Sequence, residues 1–234
     1  MVEIIDLSQE IYSGMPVYKS LPEVKMEMYA SHEEWGGITE SNTVSPSVYK
    51  LDMSEHTGTH VDSLSHMGRE FRGQSIDTMP LSMFYTEGIC LDLSHKGLKE
   101  LIEPMDLISA CKEAGMSIKK GDTVLLYTDH YRKTYGSADW AHGPGLSAVA
   151  TQWLGQQGIS AFGVEMMSPG IPGVSNKEVH HICGEMGFTH YENMINLQLL
   201  IGRGRFRFIG LPLKIRGGTG SPVRAVALFG EGKL

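Results

Sequence analysis

Cysteine is scarce: Cys90, Cys111 and Cys183 are the only three in 234 residues, widely spaced and without a C-x-x-C pair. That excludes a disulfide framework and a cysteine-rich structural zinc site, and it fits reduced thiols in a cytoplasmic compartment. Long apolar runs are also missing. No window approaches eighteen uninterrupted apolar residues, and MVEIIDLSQE has no cationic stretch ahead of an apolar one, so neither a membrane span nor export is expected. Positive charge is thin: 20 Lys and Arg stand against 27 Asp and Glu, for a formal charge of −7. Neutralising phosphates needs a basic surface, so nucleic acid is not an expected partner. The one basic run, Gly202 to Arg207, reads as a solvated or interface face. Repeats and low-complexity linkers are absent. A chain of 234 residues, 41% hydrophobic and 20% charged, is long enough for one substantial core, and by length one large domain over 1–234 is as expected as two small ones.

Nucleophilic catalysis by a side chain finds little support. Cys183 has only a neighbouring histidine to lower its pKa. Ser63, Ser65, Ser168 and Ser221 lack a G-x-S-x-G context.

What the chain does have is the undecapeptide HTGTHVDSLSH, which puts His56, His60, Asp62 and His66 within eleven residues. Neutral imidazoles with a carboxylate are the mixed nitrogen and oxygen donors that Zn²⁺, Mn²⁺ or Fe²⁺ accept, and two His plus one carboxylate leave positions open for water and substrate. His56, Gly58, His60 and Asp62 fall on even numbers and share one face of an extended segment. A straight strand separates residues four apart by roughly 13 Å, so the chain must bend between His56 and His60 for both to reach one ion. Gly58 permits that bend.

The segment matches H-x-G-T-H-x-D-x-P-x-H, and the chain resembles the metal-dependent cyclase-type hydrolase family, which includes bacterial kynurenine formamidases and isatin hydrolases. The resemblance continues in Asp6–Tyr18, in HGPGLS from His142, in GVEMMSP from Gly163, in Glu192-Asn193, in Gly202-Arg203-Gly204, in Leu211-Pro212-Leu213 and in GGTGSPVRA from Gly217. It departs at Leu64, where the family usually has Pro, at Glu165, where Asp is frequent, and at Met166-Met167, where Thr-Pro is common. The resemblance implies that His56, His60 and Asp62 ligate a metal and that His66 is an acid/base residue beside it. It further implies a second ion held by Asp62, His180 and Glu192, the last two being twelve residues apart. One or two divalent ions per subunit, manganese or zinc, are expected, in a homodimer or homotetramer. His181 and His190 are read as helix-surface or capping residues.

The fold expected is α/β, a single domain of the swivelling β/β/α type with a mixed central sheet. Helices are predicted from Glu103-Pro104 toward Gly115, from the Ser147 cap to Gly158, and from Asn176 through Gly187. Strands are predicted over Asp122–Thr128, Ser160–Glu165, Phe206–Leu211 and Arg224–Phe229. Lys19 to Tyr49 reads as a long irregular stretch, a subunit arm before a lid or surface loop.

The chemistry expected is hydrolysis of a C–N amide bond in a small aromatic or cyclic amide or imide by a metal-activated water, as in isatin ring opening. His66 or Glu192 would take the proton and return it to the leaving nitrogen. Arylformamidase action on N-formylkynurenine is the alternative, and an inactive metal-stabilised binding protein is the reading from a different class. The Gly217–Ser221 turn reads either as a set of backbone N–H donors for substrate or as a tight hairpin.

Overall fold

The computed structural model describes residues 1–36 and 45–230. In chain order the strands are β1 (Glu3–Asp6), β2 (Lys25–Ala30), β3 (Val48–Asp52), β4 (His60–Asp62), β5 (Tyr85–Asp92), β6 (Leu101–Ile102), β7 (Thr123–Tyr127), β8 (Gly145–Leu146), β9 (Ala161–Val164), β10 (Thr189–Glu192), β11 (Phe206–Ile209), β12 (Gly220–Pro222) and β13 (Val226–Phe229). The α-helices are α1 (His32–Gly36), α2 (Leu64–Met67), α3 (Pro104–Glu113), α4 (His130–Thr134), α5 (Ala148–Gln156) and α6 (Asn176–Met186).

Nine strands form one mixed sheet in the order β1-β13-β11-β5-β7-β9-β10-β4-β12. Its middle, β5-β7-β9-β10, is parallel, and antiparallel strands extend it on both sides. The α/β expectation is met, and β1 pairing with β13 brings the two ends of the described chain into the same sheet. β7, TVLLY, is buried at every position, the continuous apolar run that a parallel strand covered on both faces requires. Helices α3, α5 and α6 make the crossovers between the parallel strands, each started and stopped by local chemistry. Pro104 opens α3 behind a Glu103–Asp106 capping box. The Ser147 hydroxyl accepts from the Ala150 N–H at the start of α5. Gly187, at φ 74°, closes α6.

Phe162 sits fully buried on β9, with ring centroids 6.1 Å from Phe188 and 5.4 Å from His190. Phe162→Ala is expected to destabilise the fold by roughly 3–5 kcal/mol, read as a lower denaturant midpoint at an unchanged slope.

Two expectations need correction. The stretch from Lys19 to Tyr49 is not irregular throughout: β2 and β3 pair into an antiparallel hairpin, because Lys25–Ala30 and Val48–Asp52 are matched in register. Positions 37–44, within that stretch, lie outside the described residues. The sequence reading also lacks a strand at Tyr85–Asp92, yet β5 is the longest of those described, at eight residues. The basic run is half-buried and paired within the chain: Arg203 pairs with Glu3, Arg205 with the buried Asp122, and Arg207 with Glu87 at 2.8 Å. No helix among the described residues is long and apolar enough to cross a membrane.

Candidate metal centre

Strand register builds the centre. β4 and β10 run antiparallel with Glu192 opposite His60 and Tyr191 opposite Val61. Side chains alternate across a strand, so His60, Asp62, His190 and Glu192 share one face while Val61 and Tyr191 turn into the core. The sequences H-V-D and T-H-Y-E are thus two copies of one arrangement, polar ligand types flanking an apolar anchor. Above this face α6 carries His180 and α2 carries His66. His56 precedes β4 in a turn rather than lying on the strand, since Gly58 at φ 60° folds the chain back as the spacing requires.

Asp62, 1% exposed, is the hub. Its carboxylate lies 2.8 Å from His56 Nδ1, 3.2 Å from His190 Nε2, 3.5 Å from His60 Nε2, 3.6 Å from His180 Nε2 and 3.7 Å from His66 Nε2. Glu192 closes the ring, 3.5 Å from His60 Nε2 and 3.3 Å from His190 Nε2. Donors bound at about 2.0–2.2 Å to one ion stand about 3–3.5 Å apart, so these separations are those of ligands around a metal.

The tautomers agree. A carbonyl only accepts, so His60 Nδ1, 2.9 Å from Gly58 O, and His180 Nδ1, 2.7 Å from Asn176 O, carry the proton. Each Nε2 then turns a lone pair toward the carboxylates. His56 is held the other way round. The Thr219 N–H donates to Glu55 Oε1 at 2.9 Å, and the Thr219 hydroxyl donates to the same oxygen. With its proton committed, Thr219 Oγ1 accepts from His56 Nε2 at 3.0 Å. His56 Nδ1 therefore faces the Asp62 oxygen at 2.8 Å, a separation held either by a second N–H on the ring or by a cation shared between a lone pair and the carboxylate. His190, fully buried, presents Nε2 to both Asp62 and Glu192 without a well-aligned hydrogen bond to either.

The demand for positive charge also shows in titration. Burial opposes charging His190, but the Asp62 carboxylate outweighs it and lifts the ring well above its ordinary value. His60 is lifted in the same way, burial being overcome by Asp62 and Glu192. Asp62 is driven well below the usual carboxylate range, against its burial, by His190, His180 and His56. His66 goes the other way: burial, helped by the neighbouring His56 and His180, pushes it down. Lone pairs converging on buried carboxylates fit a divalent cation. The donors divide into two overlapping groups, Asp62, His180, His190 and Glu192 on one side and His56, Asp62 and His66 on the other. Asp62 is common to both, so the donor set suits one ion or two.

The structure thus brings together all of His56, His60, Asp62, His66, His180 and Glu192. His181 faces away, 2.9 Å from Glu70 and 3.5 Å from Glu185 on the surface of α6. The reading of His190 as a helix-surface or capping residue is overturned: α6 ends at Met186, and His190 points into the centre from β10. The Gly217–Ser221 turn is corrected too. The amides of Gly217, Gly218 and Thr219 are spent on Asp77, Ile215 O and Glu55, so that part of the turn orients His56 instead of donating to substrate. Glu55 was missed altogether, and Thr219 was read only as part of the turn, without its side-chain contact to His56. Adjacency of Glu55 to His56 is the only local signal, because Thr219 lies 163 residues from His56.

Thr219→Val should weaken metal affinity about 10–100-fold by freeing the His56 ring, while Thr219→Ser should hold it near the parent value. Competition against a chromophoric chelator measures both.

A cavity of about 160 Å³ opens onto the cluster, bounded by Pro16, Tyr18 and Leu21 on one side and by Met167, Ser168 and Asn193 on the other. Comparison with known proteins follows the same outline. The family described as "Putative cyclase" matches residues 5–170, a span that stops short of His180, His190 and Glu192. A kynurenine formamidase of Bacillus thuringiensis (strain Al Hakam) is 28% identical over 229 residues, covering 96% of this chain and 96% of its own. A kynurenine formamidase of Bacillus cereus (strain ZK / E33L) is 26% identical over 226 residues, again covering 96% of each. Among solved structures, isatin hydrolase A from Labrenzia aggregata, bound to benzyl benzoate, aligns with a TM-score of 0.85 at 26% identity, over 98% of this chain and 94% of that one.

Proposed function

The chain belongs to the Cyclase family, and on that premise we propose that it is a metal-dependent hydrolase of a non-peptide C–N amide bond in a small aromatic or cyclic amide. The observation that carries this reading is the convergence of imidazole lone pairs on Asp62 and Glu192 at the floor of a small cavity. His56, His60, Asp62, His180, His190 and Glu192 would hold manganese or zinc, as one ion or two. When bound, such an ion supplies Lewis acidity, polarising an amide carbonyl and making a water molecule easier to deprotonate.

The chain's own residues do the rest. His66 stands at the lip, with its side chain 38% exposed and its proton affinity reduced by burial, a shift in the direction that suits a base. It takes a proton from water and returns it to the departing nitrogen. Glu192, held between His60 and His190, is the second group able to carry that proton. Pro16, Val17, Tyr18, Ser20 and Leu21 form part of the cavity wall.

Two substrates divide the class. Isatin-type ring opening is supported by the likeness to isatin hydrolase A over nearly the whole chain. Arylformamidase action on N-formylkynurenine is supported by relatives named kynurenine formamidase at 96% coverage. A homodimer or homotetramer is part of the proposal, supported by the β2–β3 hairpin, which leaves Met28, Tyr29, Tyr49 and Leu51 exposed. A two-stranded hairpin is marginal in water on its own and gains from packing against a second copy. Unpaired thiols at Cys90, Cys111 and Cys183 support a cytoplasmic setting.

The test is metal content per subunit by elemental analysis, with hydrolysis assays on isatin, N-formylkynurenine and cyclic imides before and after chelation. Activity should vanish on chelation and return with manganese or zinc, while circular dichroism holds, because the core is built elsewhere. Bound metal without turnover on any of them would favour a metal-stabilised binding protein.

A further inference from the structure

A cavity of about 160 Å³ has room for an amide on one small ring and little more. Beside it lies a second cavity of about 540 Å³, and the two share Tyr18, Met167 and Ser168 as walls. The larger one is lined mainly by apolar side chains, with Trp140, Met166, Ile171 and Val174 among them. Its charged members are two lysines, Lys19 and Lys99, and no carboxylate lines it, in a chain whose acidic residues outnumber its basic ones by 27 to 20. Neither ammonium has an ion-pair partner among the described residues. Lys99 is also strained: its φ of 55° is one that side chains other than glycine rarely adopt. Its N–H donates to His142 O at 2.9 Å, which pins the strained turn to the cavity wall. A lysine kept in an unfavourable backbone conformation, unpaired, at the edge of an apolar chamber is the kind of outlier that points to ligand binding.

We propose that the larger cavity takes the remainder of the substrate, and that this remainder is an apolar, aryl-sized body ending in a carboxylate held by Lys99 and Lys19. The proposal rests on the reading above as a C–N amide hydrolase and departs from the two substrates named there, since isatin carries no carboxylate and N-formylkynurenine carries an ammonium beside its own. An amino-acid head group is disfavoured, because an ammonium beside the carboxylate would meet two lysines and no acid. The substrate is an aryl amide carrying a lone anion, with Lys99 and Lys19 setting specificity and taking no part in bond cleavage.

Binding to the metal-loaded protein is measured by calorimetry with 4-phenylbutanoate, its neutral amide, and 2-amino-4-phenylbutanoate. The acid should bind roughly tenfold tighter than either of the others. Lys99→Met should erode that preference, and Lys19→Met with Lys99→Met should erase it. Equal binding of acid and amide would overturn the proposal, as would a preference that survives both substitutions, since the metal would then be the anion's partner. Lys99→Gly should erode the preference as Lys99→Met does, without lowering the thermal midpoint, because glycine relieves the strain. A variant that loses binding only as it loses stability would argue for a structural lysine.

In turnover, formanilide serves as the substrate that fits the smaller cavity. Its hydrolysis should be indifferent to the lysine variants. For 4-(4-formamidophenyl)butanoate the same variants should raise KM about tenfold at unchanged kcat, with no such change for its methyl ester. Failure to hydrolyse any of these amides while the anion preference holds would refute the hydrolase reading and leave the binding site standing.

Discussion

Asp62→Ala is expected to empty the centre of metal and to lower turnover by at least about 10⁴-fold, equivalent to roughly 5.5 kcal/mol of lost transition-state stabilisation. The reason is position. No other described residue has its carboxylate within 3.7 Å of His56, His60, His66, His180 and His190 at once. It is also buried and held ionised well below the ordinary range despite that burial, by His190, His180 and His56. Removing it leaves imidazole lone pairs facing a neutral space, with Glu192 as the remaining negative charge. Loss of one partner from a buried ion pair typically costs about 3–5 kcal/mol, so the variant should be less stable as well. It should still fold, because Val61 and Tyr191 anchor the two strands from the opposite face. Elemental analysis and circular dichroism separate the two effects. A folded Asp62→Ala protein that retains stoichiometric metal would remove Asp62 from the ligand set.

Asp62 was readable because the chemistry around it is local. HTGTHVDSLSH compresses a turn, a strand and the start of a helix into one segment, so the residue types and their spacing carried most of the geometry. Gly58 supplied the bend. Helices α3, α5 and α6 were legible for a similar reason, since Pro104, Ser147 and Gly187 mark their ends by their own backbone and side-chain preferences.

What escaped depended on pairing between distant segments. His190 lies three residues beyond the glycine that ends α6, in a strand of four residues, too short for periodicity to distinguish it from the helix before it. Only the register of β10 against β4 places it opposite the ligands already known. Glu55 and Thr219 are further examples, joined across 164 residues. The Gly217–Ser221 turn was legible as a turn, but its amides meet partners as remote as Asp77, which no local pattern announces. β5 was missed because Tyr85–Gly88 alternates exposed and buried positions beside β11 while Gly88–Leu91 is continuously buried beside β7. Neither template fits the whole strand.

His66→Ala is expected to keep its metal and lose turnover by about 10²–10⁴-fold, the usual weight of one acid/base group. Of the five imidazoles facing Asp62 it stands farthest away, at 3.7 Å, and its side chain is the most exposed of the five that ion-pair with that carboxylate, at 38% against 14% or less for the others. A ligand is served by burial and close approach, whereas a base must reach solvent and substrate. The ring is centred 4.3 Å from His56 and 5.6 Å from His180, between the two donor groups. Helix α2 fixes it there by burying Leu64 and Met67 on either side of it in sequence, so the Leu64 departure from the family's proline still leaves His66 in place. Burial lowers its affinity for a proton, as a base working at neutral pH requires. His66→Gln should be as impaired as His66→Ala, because an amide hydrogen-bonds but does not shuttle protons, and added imidazole should restore part of the His66→Ala rate. Loss of metal together with activity would make His66 a ligand of the His56–Asp62 group instead. Undiminished turnover would transfer the proton to Glu192.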